Sequence, residues 1–530
     1  MHPVAESYRL PCNLNQGRDM HLIEYFLRSA ERWPDRVCLV DATGERSYST
    51  VQDTVWAIAH AFRARGITPG TRVALYGPNS SDLMESMLGI LCAECVWAPI
   101  SARNTAIEAA QYLRQIEVDV LLYSESVASS VEQIRALTPS TLMLLPIDSE
   151  SRLDWIDPAA TQPFPHGMVD MDQSVAIMAS GGTTGSPKGI LLTERCYSMG
   201  VATLEAHYPG DFPVYLACAP LTHAAGGLAL MLLGRGAKFV ILPGFEARVV
   251  MQTIETHRIT QMFLPPTAIY MMLADPEHTR FDYSSVKYFM YAGAPMSEQQ
   301  LREALQAFGP VMTQFYAQME CHASITCLTA EQHSEALADP QKAHWLLSAG
   351  KPTKFARVEF MDPDGKLLPV GERGELVVRS HLVCAGYVGT AATAHEGGDG
   401  WHHTGDVGYR DADGFVYIVD RLRDIIISGG FNVFPTEVER VILSHRSVRD
   451  CAVVGTPDEK WGEAVTAVIE LKDGQTIDQD ELIAFCRKSL SGVKAPKIVR
   501  IVDALPRSPV GKVLRRAVRD SLWQGRSGKI

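Results

Sequence analysis

Through its first 350 residues the chain alternates short apolar runs with amphipathic stretches, and that alternation leaves few folds open. "TRVALYGPNS", "VDVLLYSE", "TLMLLPID", "FPVYLACAP", "AKFVILPG", "ITQMFLPP" and "VKYFMYAGAP" are too short for helices and read as buried strands. Helix patterns lie among them: "HLIEYFLRSAERW", "TVQDTVWAIAHAFRARG", "SDLMESMLGILCAEC", "EARVVMQTIETHR" and "MSEQQLREALQAFG", with "DATGERSYS" as a polar turn. Strands separated by helices pair in parallel and are covered on both faces. The expected class is therefore α/β, with mixed, mostly parallel sheets and flanking helices.

From about residue 350 the texture changes. "ARVEFMDPDGKLLPVGERGELVVRS" sets the turn signals "DPDG" and "GERG" between short strands, which predicts antiparallel hairpins and a β-rich subdomain. After "DRLRDIIISGG" the pattern is small and α+β, with helices "TEVERVILSH" and "QDELIAFCRKSL" and strands "RDCAVVGT" and "AVTAVIEL". A boundary near Arg421 to Arg423 gives a large domain over 1–421 and a small one over 422–530. At 530 residues the chain is too long for one core.

Composition narrows the partners. Hydrophobic content of 46% and charged content of 21% are those of a globular protein. A net charge of −12 argues against nucleic acid as the main partner, which is held by clustered Lys and Arg. No apolar run reaches the ~20 residues of a membrane span, and the N-terminus lacks a basic-then-apolar signal pattern. With 11 scattered cysteines, this predicts a cytoplasmic protein with reduced thiols. Cys92 and Cys95 have C-x-x-C spacing but apolar neighbours, and read as core packing.

The densest polar motif is "MASGGTTGSPKGI", residues 178–190. Glycine N–H groups approach an anion closely, hydroxyls donate to it, and the Lys188 ammonium neutralises it, so the stretch points to phosphate. An ordinary strand–loop–strand turn is the other reading of this loop alone. It is not a Walker A motif, because Pro187 precedes the lysine and Gly189 leads into the strand-like "ILL".

Four more stretches follow in order: "YAQME", "HTGDVGYRDADGF", "DRLRDIIISGGFNVFPTEVE" and "PRSPVGKVLRR". The five together resemble the adenylate-forming superfamily, in its acyl-CoA synthetase branch of carboxylic acid–CoA ligases, from about residue 20 to the C-terminus. The resemblance implies a large AMP-binding domain, a mobile C-terminal domain on a hinge, and two half-reactions. A carboxylate attacks the α-phosphorus of ATP, giving acyl-AMP and pyrophosphate. The thiol of coenzyme A then displaces AMP. The attacking carboxylate is already ionised, so the protein must align reactants and neutralise phosphate charge.

Residue by residue, the resemblance makes Ser180, Gly181, Gly182, Thr183, Thr184, Gly185, Ser186 and Lys188 the phosphate loop. Glu320 becomes the Mg²⁺-associated carboxylate. Tyr316, with Gln314 and Phe315 before it, lies at adenine, opposite Gly293, Ala294 and Pro295 of "YAGAPM". Asp406 accepts from the ribose hydroxyls, and Arg421 reaches ribose and phosphate. Lys512 bridges the acyl carboxylate and the α-phosphate. Arg423 is the hinge, where the family has Asp or Lys. Rotation there withdraws Lys512 and brings Gly429 and Gly430 to the pantetheine tunnel. His402 and His403 are neighbours on a strand, face opposite ways, and are not expected to share a metal.

On the acyl side, His223 of "PLTHAAGGLAL" matches a pocket position, although a packed histidine reads equally well. Ala224, Ala225, Gly226 and Gly227 have little side-chain volume, which suggests a roomy apolar channel. Neither "LPPTAIYMM" nor "MYAGAP" offers an Asp for an α-ammonium, so the expected acid is apolar, fatty or aromatic. Expected cofactors are ATP, Mg²⁺ and coenzyme A. The expected partner is a small carboxylic acid, with an acyl carrier protein and a homodimer as further candidates. Two alternatives stand beside the ligase. One is an acyl-AMP ligase that loads a carrier-protein phosphopantetheine. The other is a non-catalytic nucleotide-binding homologue, against which Lys188, Glu320, Asp406 and Lys512 all speak.

The family pattern around Glu320 is Tyr-Gly-x-Thr-Glu, and here Ala317 and Met319 stand in for glycine and threonine. A thioether cannot donate the bond that the threonine hydroxyl gives an α-phosphate oxygen. Met319→Thr is therefore expected to leave pyrophosphate release unchanged or to raise it; a clear fall would give Met319 a role of its own.

Overall fold

The apolar runs become strands of two separate sheets. One has nine strands, in the order Lys351–Pro352, Thr326–Leu328, Met312–Tyr316, Tyr288–Tyr291, Gln261–Leu264, Val214–Ala217, Lys238–Ile241, Val37–Asp41 and Gly44–Ser47. It is parallel from Met312–Tyr316 to Val37–Asp41 and antiparallel at both ends. The other has seven, in the order Gly386–Tyr387, Gly189–Thr193, Ser174–Ala179, Val96–Ser101, Arg72–Gly77, Val120–Tyr123 and Met143–Pro146. Its first three strands are antiparallel neighbours and the rest pair in parallel. This is the α/β class that the alternation implies. The structure is a computed structural model and describes residues 20–180, 188–389, 399–458, 461–507 and 513–523.

One stretch differs from its sequence reading. "DATGERSYS" is not simply a turn, because Gly44–Ser47 pairs with Val37–Asp41 as an edge strand. Its polarity follows from exposure on that edge, and the tip is tightened by Asp41, which accepts from the Thr43 N–H at 2.8 Å and hydroxyl at 2.6 Å. Helix Ser81–Cys92 is buried along its whole length. Its two carboxylates, Asp82 and Glu85, are matched by Arg46 at 2.8 and 2.6 Å. Arg152 closes on Glu85 at 2.9 Å. Cys92 and Cys95 are buried thiols.

The chain divides into two compact units: Met1–Val358 with Val378–His402, and Glu359–Val377 with His403–Ile530. A four-stranded sheet, ordered Arg357–Met361, Gly374–Arg379, His402–Arg410 and Val416–Arg421, falls largely in the second unit. The same unit holds the strands Ile426–Ser428, Phe431–Val433, Val448–Asp458, Gly462–Leu471 and Ile498–Val502 around a core that includes Val438, Val453, Val465, Ile469 and Leu482. Arg515 ties this unit together: its guanidinium donates to Asp420 at 2.9 Å, Thr436 at 2.8 Å and Glu439 at 2.8 Å. Burial pushes the Glu439 carboxyl up, and Arg515 opposes that shift. Among the described residues no helix is long and apolar enough to cross a membrane.

Gly350, before the edge strand Lys351–Pro352, has φ +85°, and a Cβ there would lie 2.1 Å from the carbonyl carbon of Cys327. Gly365 has nearly the same φ, +82°, with open space around it. Left-handed backbone alone costs an alanine ~1–2 kcal/mol, and overpacking adds roughly 1–3 kcal/mol. In urea unfolding, Gly350→Ala should therefore lose clearly more stability than Gly365→Ala; equal losses would remove the packing role of Gly350.

Candidate active site

The candidate loop hangs from a hairpin whose mouth is hydrogen-bonded shut. Strands Ser174–Ala179 and Gly189–Thr193 pair antiparallel. Beyond them the Ser180 N–H donates to the Lys188 carbonyl at 2.8 Å, and the Lys188 N–H donates to Ser180 Oγ at 2.9 Å. Gly181, Gly182, Thr183, Thr184, Gly185 and Ser186 lie outside the described residues, as does Lys512. Gly189 packs closely, since a Cβ would lie 2.6 Å from Ile116 and 2.8 Å from Ile177. Lys188 therefore leaves the strand end with its backbone fixed and its side chain exposed.

A residue that the sequence reading did not single out joins Lys188 to Glu320. Strand Gly386–Tyr387 adds to the hairpin with Tyr387 opposite Ile190, and the Val388 N–H donates to the Gly189 carbonyl at 2.9 Å. That register places the Tyr387 ring 5.0 Å from Lys188 Nζ. The Tyr387 hydroxyl donates to Glu320 Oε1 at 3.3 Å. Glu320 itself sits in a tight turn, where Gln318 and Cys321 exchange backbone bonds at 3.4 and 3.2 Å. The Glu320 carbonyl accepts from the Cys384 N–H at 2.8 Å, three residues before Tyr387. No short-range pattern in "VCAGYVGT" signals this, because the partners are about 70 and 200 residues away.

The proposed adenine residues come from neighbouring parallel strands. Tyr316 ends Met312–Tyr316, and its carbonyl accepts from the Ile325 N–H at 2.8 Å. Gln314 Oε1 lies 3.2 Å from the buried Tyr291 hydroxyl, which is 3.0 Å from His333 Nε2. His333 Nδ1 sits 2.8 Å from the Thr329 carbonyl, so Nδ1 carries the proton and Nε2 accepts from Tyr291. Phe315 is buried against Phe263. Gly293 has φ +85° in the turn that continues into Ala294 and Pro295, a conformation suited to glycine. Ala317 lies outside the left-handed region, so alanine is accommodated where the family pattern has glycine. Met319 is half-buried in the Glu320 turn.

The acyl-side segment is shaped by Asn79, which accepts from the Leu221 N–H at 2.8 Å and donates to the Ala219 carbonyl at 2.9 Å. His223 is the residue before helix Ala224–Leu230, and burial pushes its imidazole pKa down. The roomy channel expected at Gly226 and Gly227 is not what these glycines provide. A Cβ at Gly226 would lie 1.9 Å from the Leu221 carbonyl oxygen, and one at Gly227 would lie 2.7 Å from the His322 ring. Their missing side chains are required by close packing.

In the second unit, Asp406 is 4% exposed and pairs across the sheet with Arg421, whose Nε is 3.3 Å from Oδ1. The Gly405 N–H and His403 Nδ1 both meet Glu375, at 3.0 and 2.8 Å. His402, in the first unit, meets Gln318 at 3.2 Å instead. Arg423 is exposed in the short turn Leu422–Asp424, and partial desolvation of its guanidinium, with the Arg421 charge nearby, lowers its pKa. Gly429 and Gly430 have φ +58° and +80° at a hairpin tip, where the Gly429 N–H donates to the Trp461 carbonyl at 2.7 Å.

The AMP-binding enzyme family matches residues 26–388, and the AMP-binding enzyme C-terminal domain matches residues 437–512. The chain is 38% identical over 411 residues to the medium/long-chain-fatty-acid–CoA ligase FadD8 of Mycobacterium tuberculosis, covering 75% of this chain and 69% of that protein. It is 33% identical over 507 residues to a feruloyl-CoA synthase of an Amycolatopsis species, covering 95% and 99%. Among solved structures, the amide bond synthetase McbA from Marinactinospora thermotolerans superposes with a TM-score of 0.85 at 30% identity, covering 94% and 99%.

His322 and His333 are buried, and desolvation pushes each pKa down to about 4 from an ordinary 6.5. Folded, they stay neutral below pH 6.5 while the unfolded chain takes up protons. Their contribution is thus intact above pH 6.5 and lost as pH falls toward 4. Between pH 6.5 and 5 each histidine removes roughly 2 kcal/mol. Melting curves at pH 7 and 5 should show a smaller drop for His333→Gln than for the wild type.

Proposed function

This chain belongs to the AMP-binding enzyme family, and on that premise we propose that it joins a fatty or aromatic carboxylic acid to the thiol of coenzyme A using ATP. The observation that carries the reading is the meeting of Lys188 and Glu320 on Tyr387, at the mouth of the glycine-rich loop. The acid's carboxylate oxygen attacks the α-phosphorus, the bond to the bridging oxygen breaks, and pyrophosphate leaves. The thiol sulfur then attacks the acyl carbon, AMP leaves, and the thiol proton passes to solvent.

The chain's residues suit that charge movement. Lys188 lies against an uncharged ring, a contact of about 0.5–1 kcal/mol at exposed sites, which is weaker than the charge-assisted bonds a phosphate oxygen accepts. Glu320, with one oxygen steered by the Tyr387 hydroxyl, is the hard oxygen donor a magnesium ion takes, and that ion supplies charge neutralisation to polyphosphate when bound. Asp406 is proposed as the ribose acceptor, its carboxylate held by Arg421. Lys512 is proposed to steady the acyl carboxylate against the α-phosphate. Ten described cysteines, all free and buried, support a reducing compartment such as the cytoplasm.

Pyrophosphate release measured with ATP, magnesium and a panel of acids tests the reading, with coenzyme A or a pantetheinylated carrier protein as acceptor. Thioester on coenzyme A is expected; thioester only on the carrier would move the acceptor, and release with no acid would favour a nucleotide-binding homologue. Tyr387→Phe keeps the ring and removes the bond to Glu320. It should lower release about tenfold at limiting magnesium and recover as magnesium rises. Lys512→Ala should abolish release yet form thioester from supplied acyl-AMP, and equal loss of both steps would contradict its assignment.

A further inference from the structure

We propose that Tyr291 and His333 set the base selectivity of the nucleotide site, by locking the Gln314 amide with its oxygen toward the adenine edge. This rests on the ligase reading above and on adenine lying at Tyr316, and it names the two positioning residues that choose the base. Gln314 stands two positions before Tyr316 on strand Met312–Tyr316, so the two side chains share a face. Tyr291 is its partner in register on strand Tyr288–Tyr291, which runs into the turn of Gly293, Ala294 and Pro295. Gln314 thus stands on one proposed wall of the adenine site, beside the strand that leads into the other.

The proton count fixes the amide. His333 Nδ1 and the His333 backbone N–H lie 2.8 and 3.0 Å from the Thr329 carbonyl, which can only accept. Nδ1 therefore carries the imidazole proton. His333 is 0% exposed and burial pushes its pKa down to about 4, so at neutral pH it holds no second proton and Nε2 is a bare acceptor. The Tyr291 hydroxyl, 3.0 Å away, donates to it. That spends the only proton the hydroxyl has, so toward Gln314, at 3.2 Å, it can only accept. The two ends of an amide are nearly alike in shape, and the hydrogen-bond network decides between them. The end placed as Oε1 against Tyr291 is accordingly the –NH2 group, and the carbonyl oxygen is the other end. The reverse orientation would draw the Tyr291 proton to Gln314 and leave the buried His333 Nε2 without a donor.

The oxygen left at that other end has a chemical preference. Tyr291 and His333 are enclosed, whereas Gln314 is half-buried, so of the three side chains it is the one a ligand can meet. A carbonyl oxygen accepts from the 6-amino group of adenine. Against the 6-carbonyl oxygen of hypoxanthine or guanine it sets acceptor to acceptor. A freely turning glutamine would offer either end and take either base. One held through Tyr291 and His333 cannot turn without stranding a buried polar atom.

The test measures dissociation constants of the magnesium complexes of ATP and inosine triphosphate, whose bases differ in the 6-substituent and the N1 proton. With an acid the enzyme accepts, kcat/KM for pyrophosphate release is measured for each as well. Wild type is expected to favour ATP about a hundredfold or more. Tyr291→Phe keeps the ring, frees the amide and should cut that ratio roughly tenfold. His333→Leu leaves the Tyr291 proton no acceptor but Gln314, turns the amide nitrogen toward the base and should cut the ratio at least as far. A merely structural role would weaken both nucleotides alike. A ratio unmoved in Tyr291→Phe therefore overturns the proposal, as does a wild type that binds the two equally. Tyr291→Phe is nearly isosteric and decides the matter if His333→Leu fails to fold. Absence of pyrophosphate release with every acid sinks the ligase reading, while the two dissociation constants still judge the selectivity.

Discussion

The register between two short strands decides most of what the first unit can do. Tyr387 pairs opposite Ile190, two residues after Lys188, and its own side chain reaches Glu320. Side chains alternate along a strand, so a slip of one residue would turn the Tyr387 ring to the other face and part the lysine from the carboxylate. The small residues of this region serve that register. Gly189 allows Ile116 and Ile177 to close over the strand end, and the reciprocal Ser180–Lys188 bonds keep the loop's two ends together.

Burial without compensation recurs around the site, and it sorts the titratable groups by task. Lys188 and Glu320 remain accessible enough to exchange their contacts for a ligand's. His322, His333 and His223 are instead driven toward neutrality by desolvation, which makes them hydrogen-bonding and packing groups rather than charges. His333 is fully engaged between Thr329 and Tyr291, whereas His322 Nε2 has no described partner. Two buried histidines therefore differ in their hydrogen bonding.

The second unit solves a different problem. Its buried carboxylates, Asp420 and Glu439, are desolvated, and Arg515 meets both with a guanidinium whose fork can satisfy several acceptors at once. Breaking such a network strands a buried charge, so the cluster holds helix Arg515–Trp523 to the helix Pro435–Leu443 and to the strand that ends at Arg421. Asp406 and Arg421 use the same economy at the sheet surface, one partner buried and the other able to reach outward.

Much of this was legible in the residues themselves. The α/β class followed from apolar runs too short to be helices, and the five ordered motifs pointed to the family before any contact was known. Local pattern suffices there because strand length, glycine-rich turns and capping residues act over a few positions. "DATGERSYS" read as a turn because an exposed edge strand lacks the apolar alternation that marks a buried one. Gly226 and Gly227 read as space, yet their partners, Leu221 and His322, fill it. Tyr387 and Arg515 carry no local signal, because each matters only through residues tens to hundreds of positions away. The amino-acid order by itself determined the element types, the family and the chemical groups available. Which of those groups touch, and which buried ones are left wanting a partner, was decided by the packing of distant segments, since hydrogen bonds and desolvation depend on distance in space rather than along the chain.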